Sequence, residues 1–159
     1  MDVTFDDLKI DVSGKKEGDG SDDSPVDAGK AAVTVKGDHD AAIELDGDNK
    51  LKSGSAHAGL EHNKTDTSGE LTIQDNDKNG SLKAAGGQYG AGIGGAGVND
   101  AQVKITGGKI TATGGEFGAG IGGGFKGSGD VTITGGEIHA NGGSYSAGTE
   151  RWHLKELAR

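Results

Sequence analysis

Cysteine is absent from the 159 residues, and proline occurs once, at Pro25. The first absence excludes a disulfide framework and thiolate chemistry. With no glycine at every third position either, a collagen-like architecture is excluded too. Aromatic residues make up 4% of the chain and hydrophobic residues 31%, which leaves room for one domain with a modest core. No apolar run approaches the ~20 residues of a membrane-spanning helix, so membrane insertion is not expected. The opening stretch, MDVTFDDLKI, lacks the basic and then apolar order of a secretory leader. The expectation is therefore a cytoplasmic chain or a mature or excised piece of an exported one. Basic residues are in deficit as well: 16 Lys and Arg against 25 Asp and Glu give a net charge of −9. That balance argues against nucleic acid, whose phosphates attract basic patches. It also weighs against anionic polysaccharides and lipids unless a cation bridges.

What the chain has in excess is glycine, 33 residues, against about 7% in ordinary sequences. These glycines are ordered. The phrase YGAGIGG at 89–95 returns as FGAGIGGG at 117–124, and the step from Gly90 to Gly118 is 28 residues. KITGGKITATGG (104–115) becomes TITGGEIHANGG (132–143), and Tyr89, Phe117 and Tyr145 take the same step twice. HAGLEH (57–62) reads as a degenerate GAGIGG. Fixed self-similarity of this length marks a repeat architecture.

Inside one repeat the apolar residues alternate with polar ones, as in Val103, Ile105, Ile110 and Ala112 against Lys104, Thr106, Thr111 and Thr113. That is the period of a strand, and Gly-Gly pairs separate the short strands. Three strands and three corners per ~28 residues describe one coil of a right-handed parallel β-helix, the usual hand, with about four or five coils in all. The expected inward ladders are Ile43/Leu71/Val103/Val131, Leu45/Ile73/Ile105/Ile133, Leu51/Leu82/Ile110/Ile138 and Leu60/Ile93/Ile121. Ala58, Ala91, Ala119 and Ala147 fill narrow inner positions. Both glycine phrases satisfy G-x-G-x-x-G, through Gly90, Gly92 and Gly95 and through Gly118, Gly120 and Gly123. A dinucleotide site also needs a following helix and an acidic residue about 20 further on; here each phrase leads into another strand.

The β-helix is expected to occupy residues 1–148, with an acidic insertion at 15–30. From Thr149 the composition turns to helix formers with Trp152, Leu154 and Leu157 on one side. Residues 149–159 are read as a short helical cap over the open end, or as a junction to another domain.

These phrases, from AAIELDGDNKLKSGSAHAGLEH through VKITGGKITATGGEFGAGIGGG, resemble glycine-rich β-helical segments of large secreted surface proteins, mostly of Gram-positive bacteria. The resemblance covers about residues 31–148. Such segments are often labelled carbohydrate-binding or of unknown function, and the resemblance implies export, a cell-surface or adhesin setting and no known catalysis.

Two groups of residues are candidates for function. Tyr89, Phe117 and Tyr145 are half of the six aromatic residues and share one column. Exposed, they form a strip suited to the apolar faces of sugars; stacked at a corner, they support one another. In DNDKNG (75–80), Asp75, Asp77 and Asn79 give the oxygen pattern of the first half of a calcium loop, with Gly80 at its sharp turn. The position of the bidentate glutamate is held by Gly86, and the competing reading is an Asx-rich turn. A structural calcium ion is thus the one cofactor the sequence suggests. The function expected is a non-catalytic surface spacer or adhesin segment that binds a glycan and adjoins other domains of a parent protein. The alternatives are a polysaccharide lyase or hydrolase, for which no convergent carboxylate pair is legible, and a self-associating structural module.

Overall fold

A computed structural model describes residues 1–14 and 29–146. The expected cap at 149–159, most of the acidic insertion and Ala147 lie outside the described residues. The first coil holds β1 (Asp2–Asp6), β2 (Lys9–Asp11) and β3 (Val33–Thr34), and the second β4 (Ala41–Asp46), β5 (Asp48–Lys52) and β6 (Leu60–Glu61). The third holds β7 (Leu71–Gln74), β8 (Ser81–Ala85) and β9 (Ile93–Gly94), and the fourth β10 (Ala101–Ile105), β11 (Lys109–Thr113) and β12 (Ile121–Gly122). A partial fifth coil contributes β13 (Gly129–Ile133) and β14 (Glu137–Asn141).

Like strands of successive coils pair in three sheets, ordered β1-β4-β7-β10-β13, β2-β5-β8-β11-β14 and β3-β6-β9-β12. Every pairing is parallel, and no helix occurs among the described residues. The chain is an all-β parallel solenoid, as its repeat implies.

The core is a thin prism of inward ladders. In the last three coils they run as expected: Leu71, Val103 and Val131 align, as do Ile73, Ile105 and Ile133, and Leu82, Ile110 and Ile138. Leu60, Ile93 and Ile121 form the third wall. Ala58, Ala91 and Ala119 are buried beside them.

The second coil departs from the expected register by two residues. Ile43 lies opposite Ile73 rather than Leu71, and Leu51 opposite Ala84 rather than Leu82. From β4 to β7 the step is 30 residues, not 28, and it grows to 33 from β5 to β8. The added length lies in the corner between the first two sheets, Gly47 alone in the second coil but residues 75–80 in the third. Leu45 then projects into this corner, where a Cβ on Gly80 or Gly108 would collide with it. The bulky residue in one coil and the glycines in the next two fill a single space.

The same shift puts Asn49 opposite Leu82, in an otherwise apolar ladder. It is 1% exposed. Its Oδ1 accepts the Leu8 N–H at 2.8 Å, and its Nδ2 donates to the carbonyls of Phe5 (3.3 Å), Asp46 (3.0 Å) and Ser81 (3.1 Å). One amide therefore ties three coils together and satisfies groups that burial would otherwise leave unpaired.

The glycine pairs that precede the repeated phrase have their explanation in coil-to-coil contact. Gly54, Gly87, Gly115 and Gly143 form a column in which a Cβ on each of the last three would run into the carbonyl oxygen of the glycine below. Backbones touch there, and any side chain would force the coils apart.

Gly115→Ala should therefore lower stability by about 1–3 kcal/mol, the cost of overpacking. Gly14→Ala, with nothing among the described residues within 4 Å of the new methyl, should stay within about 0.5 kcal/mol of the parent in urea denaturation. Asn49→Leu copies the ladder above it but strands the Leu8 amide. We expect it to destabilise by about 1–3 kcal/mol in the same assay; a gain in stability would show that the amide clamp contributes nothing.

Candidate functional site

Tyr89, Phe117 and Tyr145 occupy equivalent positions at the corner between the second and third sheets. Their amides donate in sequence to the carbonyls of Ser55, Gln88 and Glu116, each at 2.9 Å. That ladder fixes the spacing of the rings. Tyr89 and Phe117 stack with centroids 5.3 Å apart and planes 8° apart, and Phe117 and Tyr145 stack at 5.7 Å and 26°. Phe117 thus has a ring on each face. Such pairs contribute roughly 0.5–1.5 kcal/mol each beyond their burial.

A fourth ring joins them. Phe125, in the loop after β12, meets Tyr89 edge-on at 5.7 Å and Phe117 at 5.3 Å. The Lys126 ammonium sits 5.1 Å from its centroid. Sequence reasoning missed Phe125 because it falls outside the 28-residue column; the available signal was an isolated aromatic in the polar run GGGFKGS. The column is a braced stack, with Tyr89, Phe117 and Phe125 all half-buried. Tyr145 differs. It is 69% exposed, and among the described residues no ring covers its outer face.

The DNDKNG turn joins β7 to β8. Asp75 accepts the Asn79 N–H on one oxygen (3.2 Å) and the Gly80 N–H on the other (3.0 Å). The Asn79 amide donates to Asp46 at 2.8 Å. Glu44, on the coil below, accepts the Asn76 N–H at 2.6 Å and the side-chain amides of Asn76 and Gln74 at 2.7 and 3.0 Å. The turn thus brings Asp75 and Asn79 together with Asp46, while Asp77 has no partner among the described residues. Both oxygens of Asp75 serve the turn's own amides, as in an Asx turn. Among the described residues no three His, Cys, Asp or Glu side chains group as a metal site.

A third cluster lies where HAGLEH departs from the glycine phrase. Glu61 aligns with Gly94 and is 4% exposed. His57 Nδ1 is 2.6 Å from its carboxylate, and the Asn63 amide donates to its other oxygen at 3.4 Å. His62, 2% exposed, places its two ring nitrogens 3.1 Å from the Val35 carbonyl and 2.9 Å from that of Gly69. Polar side chains here bridge the first three coils where later coils bring backbones into contact. Each has a hydrogen-bonding neighbour within the wall of the solenoid.

The family model for the beta helix repeat matches residues 103–125 and 131–149. The match falls on the fourth and fifth coils, where the 28-residue register is regular. No curated protein and no solved structure is significantly similar to the chain.

The hydrogen bonds of the turn yield a direct test. Asp75→Ala should lower stability by about 1–2 kcal/mol, since it leaves two turn amides without acceptors. Asp77→Ala should change it by less than about 0.5 kcal/mol. Thermal melts with millimolar calcium and with EDTA should superimpose; a rise of several degrees in calcium, abolished by Asp77→Ala, would establish a cation site in the turn.

Proposed function

We propose that the chain is a non-catalytic β-helix segment of an exported surface protein, a stiff spacer that also displays a carbohydrate-binding surface. Its partners in this reading are a glycan and the neighbouring domains of a larger protein. The observation that carries it is the Tyr145 ring. Among the described residues its outer face is open, and its inner face is seated on Phe117, which Tyr89 and Phe125 brace in turn. A ring held in place before the ligand arrives loses little freedom on binding. An aromatic face of this kind suits the C–H face of a pyranose.

The enzyme alternative is less well supported. Glycoside hydrolysis uses two carboxylates flanking the scissile bond. Among the described residues, the groove on the outer face of the second sheet contains one, Asp11. The paired Glu61 is buried in the wall and occupied by His57 and Asn63.

A glycan array of the whole chain tests the proposal. Tyr145→Ala should cut binding at least tenfold with an unchanged circular-dichroism spectrum. Tyr89→Ala should chiefly lower the melting temperature, because it removes a braced ring rather than an open one. Absence of any glycan signal from the parent chain, or equal binding by Tyr145→Ala, would sink the carbohydrate reading and leave the spacer.

A further inference from the structure

The outer face of the second sheet collects cations that the overall composition conceals. Lys9, Lys50 and Lys83 stand in register on β2, β5 and β8. Thr111 and His139 continue the column. The neighbouring outward column runs Asp11, Lys52, Ala85, Thr113 and Asn141. Adjacent strands in a sheet are about 4.8 Å apart, so three ammonium groups project side by side from consecutive coils. Among the described residues no lysine lies in an ion pair; the three short charge contacts present all involve histidine.

Such a column works against the stability of the sheet. Like charges directly opposite one another on neighbouring strands destabilise a sheet. Lysine on an edge strand guards against aggregation, which accounts for Lys9 on β2. It does not account for Lys50 and Lys83, whose strands are paired on both sides. Asp11, the one carboxylate among the described residues of the groove, is paired in register with Lys52 in the neighbouring column. The Ser13 hydroxyl (2.6 Å) and amide (3.0 Å) both donate to it and hold its carboxyl below the ordinary aspartate range, with a smaller contribution from the charge of Lys52.

Between the two columns runs a groove of about 440 Å³, walled by Lys9, Lys50 and Lys83 on one side and by Lys52, Ala85 and Thr113 on the other. That volume is within the range of small-ligand sites. Four lysines, two threonines and apolar residues line it, with Asp11 on β2. We infer that this groove binds a linear acidic sugar chain, its carboxylates meeting Lys9, Lys50 and Lys83 and its ring C–H groups lying on the lysine stems. Nucleic acid fits less well. The groove has no arginine fork for phosphate and no aromatic ring for a base, and the net charge of −9 repels a long polyanion beyond this short strip. Tyr145 is not among the residues that line the groove, and the inference does not depend on it.

The test is a titration of the whole chain with a fluorescent uronic-acid hexasaccharide, a neutral hexasaccharide of the same linkage and a single-stranded hexanucleotide. The uronate should bind, the neutral sugar should not, and raising salt from about 50 to 300 mM should weaken the uronate severalfold, as screening demands. Lys50→Glu/Lys83→Glu should weaken it at least tenfold, while Tyr145→Ala leaves it unchanged. The milder Lys50→Gln/Lys83→Gln should also weaken binding yet melt at or above the parent temperature, because it removes repulsion. No uronate binding by the parent, equal binding by the charge-reversed variant, tighter binding of the hexanucleotide, or a lower melting temperature for the glutamine variant would overturn the inference.

Discussion

Everything in this molecule follows from the backbone ladder that lays each coil on the one before. Parallel strands hydrogen-bond at a fixed spacing, so a residue's neighbours above and below are set by register alone. Glycines line up where carbonyl oxygens of the preceding coil occupy the space of a side chain. Rings line up at 5.3 and 5.7 Å because their amides are hydrogen-bonded to the coil below. The fold turns any repeated residue type into a column, whether or not that column helps stability.

The regular part of this order is legible in the sequence. Alternation of Val103, Ile105, Ile110 and Ala112 with polar residues gives the strands, and the 28-residue return of the glycine phrase gives the coil. The register of the last three coils follows directly. The second coil does not follow, because its step to the third is 30 residues along β4 and 33 along β5, the corner between them lengthening from one residue to six, and alignment by residue type slips by two. Leu51 and Leu82 look equivalent, yet the structure opposes Leu51 to Ala84 and Asn49 to Leu82. Apolar identity fixes which face a residue takes; it does not fix which of two inward positions it fills when a large and a small residue together conserve volume.

The candidate sites show the same division. That Tyr89, Phe117 and Tyr145 form a column is written in their spacing, whereas which of them is open is decided by Phe125, a residue outside the repeat. The oxygens of DNDKNG are visible in sequence, but their orientation toward the turn's own amides is a matter of backbone geometry. Charge is the sharpest case. A net charge of −9 is an average over the whole chain, and the solenoid sorts it. Asp46, Asp75 and Glu44 gather at the corner between the first and second sheets, each accepting hydrogen bonds there. Lys9, Lys50 and Lys83 gather on the outer face of the second sheet. Bulk composition argues against an anionic partner, while the local field on that face argues for one.

The irregular second coil also explains how a degenerate repeat keeps a unique register. In later coils the glycine column permits only one stacking, since any slip would bring side chains into backbone contact. The second coil has fewer such glycines, for His57, Glu61 and His62 stand where the phrase would have them. It carries instead the buried polar groups of the solenoid: Asn49, Ser53, Glu61 and His62. Each is bonded to a partner fixed in sequence, Asn49 to Phe5 and Ser81, Ser53 to the Ala32 amide, His62 to Val35 and Gly69. A slip of two residues would leave these groups unpaired in the core, at a cost of about 1–3 kcal/mol apiece. Steric exclusion by glycine sets the register where the repeat is clean, and hydrogen-bond satisfaction sets it where the repeat fails.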